Sequence, residues 1–469
     1  MTNMFQSIDP ATGAIVWEGD AHNADACANA LTRARAAFPA WALTPLEYRI
    51  AIARRYAEVL KEGTEEFASL IARETGKLLW EARGEVGSMV AKVDVSIRAQ
   101  AERAGYQEQD MPFGKSILRH RPHGVMAVLG PYNFPGHLPN GHIIPALLAG
   151  NVVVFKPSEE TPAVGEYMVR AWAKAGLPDD VLTLVQGGRE TGAALLAGDI
   201  DGLLFTGSAG AGSHFRKIFA DRPEVIVALE LGGNNPLVAW DGDNDAIASL
   251  VVHSSFITTG QRCSCARRLI VPEGAQGDAM VNAIVALTRR LPIAAWDEGG
   301  DAFLGPLISD RAANDAREAV QALIAKGAHI VLAEADLSDR RAAFMAPVIL
   351  DVTGVEVPDT EIFAPILQVR RVAGFDAAID AANATKFGLS AGLISTDEAL
   401  WRRFSALVRA GVINWNRPTT GAASAMPFGG LGESGNHRPS AYYAADYCAF
   451  PAASFETSKV EALAIPGLP

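Results

Sequence analysis

The chain has 469 residues, of which 49% are hydrophobic and 20% charged, and its formal net charge is −12. The length predicts two or three globular domains with ample cores, and the negative charge argues against binding to a nucleic-acid backbone. Four cysteines are too few for a disulfide framework and lack the spacing of a zinc site. We therefore expect no metal.

The first residues contain neither a basic segment nor an apolar run of the kind that directs export. No stretch has the length of uninterrupted apolar residues that a bilayer span requires. We therefore expect a cytoplasmic protein whose ligand is a small molecule, without nucleic-acid or membrane partners.

The first part of the chain, residues 1–105, is predicted to be helical after a short irregular start. Apolar residues recur at helical spacing over Ala24–Phe38, Pro45–Lys61, Glu65–Arg73 and Leu78–Ala99. Residues 106–122 are polar and turn-rich at first and then alternate loosely over Ser116–Arg121, as in an exposed strand. This segment is either an arm that contacts another subunit or an ordinary surface hairpin.

From Gly124 onwards, short apolar runs alternate with helical patterns, which predicts β-α-β units and a parallel sheet. The runs of the first block are Val125–Leu129, Val152–Phe155, Val181–Val185, Leu203–Phe205 and Val225–Leu229. Those of a second block are Leu237–Trp240, Arg268–Val271, His329–Leu332, Met345–Leu350, Ile366–Val372, Leu389–Ile394 and Val412–Trp415. The pattern predicts an α/β protein whose organisation changes near Gly232.

Three turns follow strands of the first block, where parallel sheets bind their ligands. They are Gly130–Pro135, Lys156–Glu159 and Thr206–Gly212. Small residues from Gly207 to Gly212 would let a helix N-terminus approach a pyrophosphate, although the common glycine fingerprint is missing. Lys156 and Glu159 could bind ribose hydroxyls, and Glu159 would repel a 2′-phosphate, which favours NAD over NADP. A structural turn and a surface ion pair are the alternatives.

A carboxylate stands in an apolar run just before the second block. Glu230 lies within Ala228–Leu231 and is followed by Gly232 and Gly233. Burial raises the pKa of a carboxyl group, and a raised pKa suits a general base. Glu230 is therefore either paired with another group or a candidate base.

The segment Gly260–Arg268 presents a cysteine after a Gly-Gln turn and a basic residue. Cationic neighbours can lower the pKa of a thiol, and the thiolate is the nucleophile. Cys263 is thus a candidate for covalent catalysis, the alternative being a small buried apolar residue. A redox pair with Cys265 is disfavoured because alternate residues of a strand point to opposite faces.

Seven motifs, in this order, resemble those of the NAD(P)-dependent aldehyde dehydrogenase superfamily over nearly the whole chain. They are Pro131–Pro135, Lys156–Glu159, Phe205–Ser208, Leu229–Gly233, Gly260–Cys263, Glu361–Phe363 and Pro427–Gly430. The resemblance implies a parallel-sheet NAD-binding domain (1–105 and 123–231), an α/β catalytic domain (232–442) and small β oligomerisation arms (106–122 and 443–469). It also implies a homodimer or homotetramer.

The resemblance assigns roles to individual residues. Cys263 is implied to attack the aldehyde carbon, and the Asn133 amide and the Cys263 N–H are implied to hold the resulting oxyanion. Glu230 is implied to activate the water that hydrolyses the thioester. The implied cofactor ligands are Lys156 and Glu159 at the adenosine ribose, Gly207, Ser208 and Gly212 near the pyrophosphate, Glu361 at the nicotinamide ribose and Phe363 beside its ring. The sequence departs from the family at Tyr132, where tryptophan is common, and in the turn after Ser208, which lacks a frequent glutamate.

Four further segments narrow the resemblance to a branch of the family that oxidises an acidic semialdehyde. They are Gly136–His142, Val185–Gly192, Leu231–Pro236 and Cys263–Arg268. Arg417 is the first candidate for the substrate carboxylate, because arginine binds carboxylates through paired hydrogen bonds. Ser264 and His137 are further candidates, whereas the arginines at 262, 267 and 268 are expected to be structural.

Three alternatives remain open at this point. The substrate could be a different short acidic semialdehyde, such as glutamate or succinate semialdehyde. An acylating enzyme would pass the thioester to coenzyme A and would often lack the glutamate. A catalytically silent member of the family would be expected to lose Cys263 or Asn133.

Overall fold

The computed structural model describes residues 4–463 and 465–467. The predictions that concern residues 1–3, 464, 468 and 469, in the expected irregular start and at the end of the second arm, lie outside the described residues. Strands β1 (Met4–Ile8) and β2 (Ile15–Asp20) form an antiparallel hairpin in which the rings of Phe5 and Trp17 pack 4.9 Å apart. The expected irregular start is therefore wrong.

Four helices follow, as the apolar spacing predicts. They are α1 (Ala24–Leu43), α2 (Leu46–Glu62), α3 (Thr64–Thr75) and α4 (Leu79–Arg103). The Asn23 side chain caps α1 by accepting a hydrogen bond from the Ala26 N–H. Gly76, at φ 74°, ends α3 in the left-handed conformation that favours glycine. After α4 the chain forms β3 (Gln107–Met111) and β4 (Gly114–Pro122), so the stretch expected to be a polar turn is itself a strand.

The first α/β block carries a five-stranded parallel sheet. Its elements are β5 (Val125–Leu129), α5 (His137–Ala149), β6 (Val152–Lys156), α6 (Pro162–Lys174), β7 (Leu182–Leu184), α7 (Arg189–Ala197), β8 (Gly202–Gly207), α8 (Ala209–Ile218) and β9 (Ile226–Leu231). The strand order is β7-β6-β5-β8-β9. The chain leaves β5 towards one edge and returns on its other side at β8, which makes the carboxyl ends of these two strands the switch point where ligands bind.

The second block carries a seven-stranded sheet of order β12-β13-β14-β11-β10-β15-β16. Its elements are β10 (Asn235–Ala239), α9 (Asn244–Phe256), β11 (Ala266–Pro272), α10 (Ala275–Thr288), α11 (Asp310–Ala325), β12 (His329–Leu332), β13 (Val348–Asp351), β14 (Ile366–Val372), α12 (Phe375–Asn383), β15 (Ser390–Ile394), α13 (Glu398–Leu407) and β16 (Val412–Trp415). Only the edge strand β12 runs antiparallel to its neighbour. The predicted α/β class is confirmed.

The chain ends with β17 (Pro427–Phe428), β18 (Ser440–Ala441), α14 (Ala444–Tyr447) and β19 (Ala449–Glu456). Strand β19 pairs along the whole of β4, from Ala449 opposite Pro122 to Glu456 opposite Lys115, and completes the antiparallel sheet β19-β4-β3. Two aromatic side chains of β19, Phe450 and Phe455, are exposed on this sheet. Among the residues described, no helix combines the length and apolarity that a membrane crossing requires.

Candidate active site

A cavity of about 600 Å³ opens between the two α/β blocks. Its walls come from the turns after β5 and β8, the end of β9, the segment before β11 and the loop before β17. Six of its lining residues are Asn133, Ser208, Glu230, Cys263, Glu361 and Phe428. The three predicted catalytic residues therefore share one cavity with part of the predicted cofactor set.

The turn that leads to Cys263 has an uncommon backbone. Thr258, Thr259 and Gly260 have φ angles of 54°, 52° and 72°, and left-handed threonines cost about 1–3 kcal/mol each. The Thr258 hydroxyl donates to Oε1 of the buried Glu81 at 2.6 Å, and the Thr259 hydroxyl donates to the Gly305 carbonyl at 2.8 Å. These buried hydrogen bonds hold the turn in its strained form.

Gly260 is required by contact as well as by conformation. A Cβ at this position would lie 2.3 Å from the Ala364 carbonyl oxygen. On the other side of the nucleophile, the Asn235 amide donates to the carbonyls of Cys263 and Cys265 at 2.7 and 2.9 Å. The Cys263 backbone is thus fixed before and after the thiol, and Asn235 is a positioning residue that the sequence analysis did not single out.

The two predicted oxyanion donors, the Asn133 amide and the Cys263 N–H, both lie at the nucleophile turn. The Asn133 side-chain amide is buried beside the nucleophile turn and donates to the Gln261 carbonyl at 2.9 Å. The Cys263 N–H has no acceptor within the described part of the chain. The role of these two groups as oxyanion donors stays a prediction, and the Asn133 amide is engaged with the Gln261 carbonyl in this structure.

The Cys263 thiol has a raised pKa, so the expected lowering by its basic neighbours is wrong. Burial, followed by the nearby carboxylates Glu361 and Glu230, raises the pKa of Cys263 to about 12, against a smaller opposing effect of Arg267. The adjacent Arg262 contacts Glu81 at 3.5 Å and Thr258 at 2.7 Å instead of the thiol. Arg262 is next to Cys263 in the sequence, but its guanidinium group is bound elsewhere and does not lower the pKa of the thiol.

Glu230 is buried at the end of β9, as the apolar run predicts. Its Oε1 accepts a hydrogen bond from the Ser440 N–H at 3.1 Å, and its Oε2 has no partner among residues 4–463 and 465–467. Burial raises the pKa of Glu230 well above its ordinary value, against the opposing hydrogen bonds of Ser440. In its ionised form, a carboxylate with a raised pKa is a stronger base, and its free oxygen can accept a proton from a group in the cavity.

The turn after β8 brings two of the three predicted phosphate-binding residues to the cavity. Gly207 and Ser208 line it, and the Ser208 side chain caps α8 by accepting from the Ala211 N–H. Gly212 does not line the cavity: a Cβ there would lie 2.4 Å from a methyl group of Leu231. Glycine at 212 therefore lets α8 pack closely on β9.

The residues predicted to bind the two riboses differ in position, because Glu361 lines the cavity whereas Lys156 and Glu159 do not. Lys156 donates to the carbonyls of Pro157 and Gly187 at 2.8 and 2.6 Å and lies 3.7 Å from Glu159. Neither Lys156 nor Glu159 lines the cavity itself, whereas Ser158 between them does.

Glu361 and Phe363 both line the cavity. Arg267 lies 3.3 Å from the Glu361 carboxylate, and the Phe363 ring meets Tyr132 edge-on at 6.1 Å. Burial raises the pKa of Glu361 to about 7 in spite of Arg267. The carboxylate is tucked against Gly232, where a Cβ would lie 1.7 Å from Glu361 Oε2.

Of the predicted substrate residues, Ser264 and His137 line the cavity and Arg417 does not. Arg417 is exposed, because the Asn414 amide folds its loop by donating to the carbonyls of Pro418 and Gly421 at 2.7 and 3.0 Å. This placement corrects the expectation that Arg417 faces the substrate. Burial lowers the pKa of His137 to about 4, so this side chain is uncharged at neutral pH.

The chain belongs to the aldehyde dehydrogenase family, whose model matches residues 1–450. N-succinylglutamate 5-semialdehyde dehydrogenase 2 of Caulobacter vibrioides is 63% identical over 97% of this chain and 94% of its own. Methylmalonate-semialdehyde dehydrogenase of Oceanimonas doudoroffii has a similar structure (TM-score 0.91, 25% identity, 98% and 96% of the two chains). So has an NAD-dependent aldehyde dehydrogenase of Sinorhizobium meliloti (TM-score 0.90, 27% identity, 98% and 93%).

The pKa of Cys263 predicts how its alkylation by iodoacetamide depends on pH. The rate should rise about tenfold per pH unit through neutrality and up to at least pH 10, since only the thiolate reacts. The rate is measured by the mass of the labelled protein. Cys263→Ala is the control, because the other three cysteines are buried, and a rate that levels off near pH 8 would contradict the raised pKa.

Substitution of Gly260 tests the strained turn. Gly260→Ala should lower the melting temperature by more than Gly354→Ala and should abolish turnover. Both glycines have left-handed φ angles (72° and 73°), but a Cβ at Gly354 meets no atom within 4 Å. Melting curves of the two variants separate the shared backbone strain of about 1–2 kcal/mol from the contact with Ala364. Equal melting temperatures would refute the role of that contact.

Proposed function

We propose that this member of the aldehyde dehydrogenase family oxidises N-succinyl-L-glutamate 5-semialdehyde to N-succinyl-L-glutamate, with NAD as hydride acceptor. The observation that carries the proposal is the presence of Cys263, Asn133 and Glu230 in one cavity. The 63% identity with the Caulobacter enzyme supports the choice of substrate. The four segments Gly136–His142, Val185–Gly192, Leu231–Pro236 and Cys263–Arg268 also resemble that enzyme.

In the first step the Cys263 sulfur adds to the aldehyde carbon. The thiol proton passes to solvent through the open cavity, so that Glu230, with one carboxyl oxygen free, remains available for the later hydrolysis. The oxygen of the thiohemiacetal becomes negative and is held by the Asn133 amide and the Cys263 N–H. A fixed donor of this kind contributes about 3 kcal/mol to transition-state stabilisation.

When bound, NAD supplies the acceptor for the hydride and its two electrons. Loss of the hydride leaves a thioester on Cys263. Glu230 then removes a proton from water, the water oxygen adds to the thioester carbon, and the Cys263 thiolate leaves. The presence of Glu230 beside the nucleophile favours hydrolysis over transfer to coenzyme A, and the presence of all three groups disfavours a silent family member.

We propose that the rim and one wall of the cavity hold the cofactor. Glu361 and Phe363 would face the nicotinamide half, and Gly207, Ser208 and the N-terminus of α8 would face the pyrophosphate. The fit is supported by Gly210, where even a Cβ would meet no atom within 4 Å. Lys156 and Glu159 would hold the adenosine ribose.

The exposed Glu159 carboxylate, 3.7 Å from the Lys156 ammonium, favours NAD over NADP. A 2′-phosphate beside it would meet a negative charge.

We further propose a cytoplasmic homodimer or homotetramer with the division into domains given above. Residues 106–122 and the segment from 443 onwards pair as β4 and β19 in a small sheet that exposes Phe450 and Phe455. Exposed aromatic residues on a short sheet favour an interface between subunits.

The substrate proposal is tested by the rate of NADH formation with N-succinyl-L-glutamate semialdehyde, against glutamate and succinate semialdehydes. We expect kcat/KM to favour the succinylated aldehyde at least tenfold, which corresponds to about 1.4 kcal/mol of transition-state discrimination. NAD should likewise be preferred to NADP.

The matched control is Cys263→Ala, which should form no NADH with any aldehyde. Equal or faster turnover of the two smaller semialdehydes would overturn the substrate assignment and leave the aldehyde dehydrogenase chemistry in place.

A further inference from the structure

Helix α4 carries a buried lysine whose side chain lines the active-site cavity. Lys92 is 2% exposed, and no carboxylate lies within 4 Å of its ammonium group in the part of the chain that the structure describes. Burial lowers the pKa of Lys92 to about 8, and the thiol of Cys448 is the one group that opposes this effect. An unpaired ammonium is costly to bury, so its place in the wall of a cavity favours a role in binding an anion.

The neighbours of Lys92 carry no compensating charge. The lysine contributes to lowering the pKa of His137 to about 4 and that of His142 to about 3, although burial is the main cause. Both rings are therefore neutral at neutral pH. The His142 ring is held between the hydroxyl groups of Tyr447 and Thr206, at 2.9 and 3.0 Å.

Lys92 lies away from the reacting sulfur. The groups whose charges act on the Cys263 thiol are Glu361, Glu230, Cys265 and Arg267, and Lys92 is not among them. Its Cε instead lies 3.8 Å from the position that a Cβ of Gly141 would occupy, on the wall formed by α4 and α5. Ser88, one turn earlier on α4, lines the same wall. Small residues there leave room for an extended ligand.

The cavity offers few other cations. Within the described residues, one arginine, Arg262, and one lysine, Lys92, line the cavity. Arg262 is already engaged by Glu81 and Thr258, and Arg417 lies outside the cavity. Lys92 is thus the cation available to a bound carboxylate.

We propose that Lys92 binds the carboxylate of the substrate's succinyl group, the group farthest from the aldehyde, and so selects semialdehydes long enough to reach it. This inference rests on the proposed function, because it names a specificity residue for that substrate. A carboxylate seated on Lys92 would make a charge-assisted hydrogen bond while the aldehyde carbon lies at Cys263.

The test compares N-succinyl-L-glutamate semialdehyde with N-acetyl-L-glutamate semialdehyde, which keeps the aldehyde and the α-carboxylate but lacks the distal one. Lys92→Met should raise KM for the succinylated substrate roughly 30-fold or more, the usual effect of losing one partner of a buried charge pair. The KM for the acetylated substrate should change much less. Lys92→Arg should recover part of the lost affinity, and Lys61→Met, an exposed lysine of α2, is the matched control.

A second measurement separates binding from folding. Methionine replaces an unpaired buried cation by an apolar chain of similar length, so Lys92→Met should melt no lower than the wild type. The product, N-succinyl-L-glutamate, should raise the melting temperature of the wild type and raise that of Lys92→Met far less. A variant that melts lower and loses both substrates equally would assign Lys92 a structural role and overturn the inference.

The two proposals fail in different ways. If the wild type does not prefer the succinylated over the acetylated substrate, the proposed function fails. If the wild type shows that preference and Lys92→Met keeps it undiminished, the proposed function stands and the assignment of Lys92 is refuted.

Discussion

Two buried glutamates on one face of α4 hold the catalytic loops in place. Glu81 accepts the hydroxyl hydrogen bond of Thr258 in the strained turn before the nucleophile. Glu85, one turn later, pairs with Lys77 at 2.5 Å and accepts the N–H groups of Gly136 and His137 at the start of α5. The loop that carries Asn133 and the turn before Cys263 are thus tied to the same helix.

The same helix face continues along the cavity. Positions 81, 85, 88 and 92 are spaced by four, three and four residues, so they lie on one stripe of α4. The ring of Phe134, next to Asn133, is flanked by Lys77 at 3.4 Å and Arg262 at 5.1 Å from its centre. One stripe of α4 therefore contacts the turn before Cys263 and the loop that carries Asn133, and it also carries Lys92, the proposed carboxylate ligand.

The sequence predicts elements that local pattern determines. The strands of the five-stranded parallel sheet agree with the predicted apolar runs to within one or two residues, because they are largely buried between helices. Cys263 and Glu230 are candidates from their local sequence, whereas Asn133 is a candidate through the family resemblance alone. Hairpin β1–β2 was missed because its apolar residues Met4 and Ile15 are exposed and its strands are stabilised by pairing with each other. Local pattern could not show that Arg417 is exposed to solvent. It also could not show that burial affects the pKa of Cys263 more than the nearby cations do, or that the Lys92 side chain lines the cavity.

The central claim is that Cys263 forms a thioester and that Glu230 activates the water that hydrolyses it. It is tested most directly by the intact mass of Glu230→Gln after mixing with NAD and N-succinyl-L-glutamate semialdehyde. We expect one equivalent of NADH and a stable covalent adduct on Cys263, since the acyl group forms but water is not activated. An unmodified protein with continued turnover, or no NADH at all, would contradict the account.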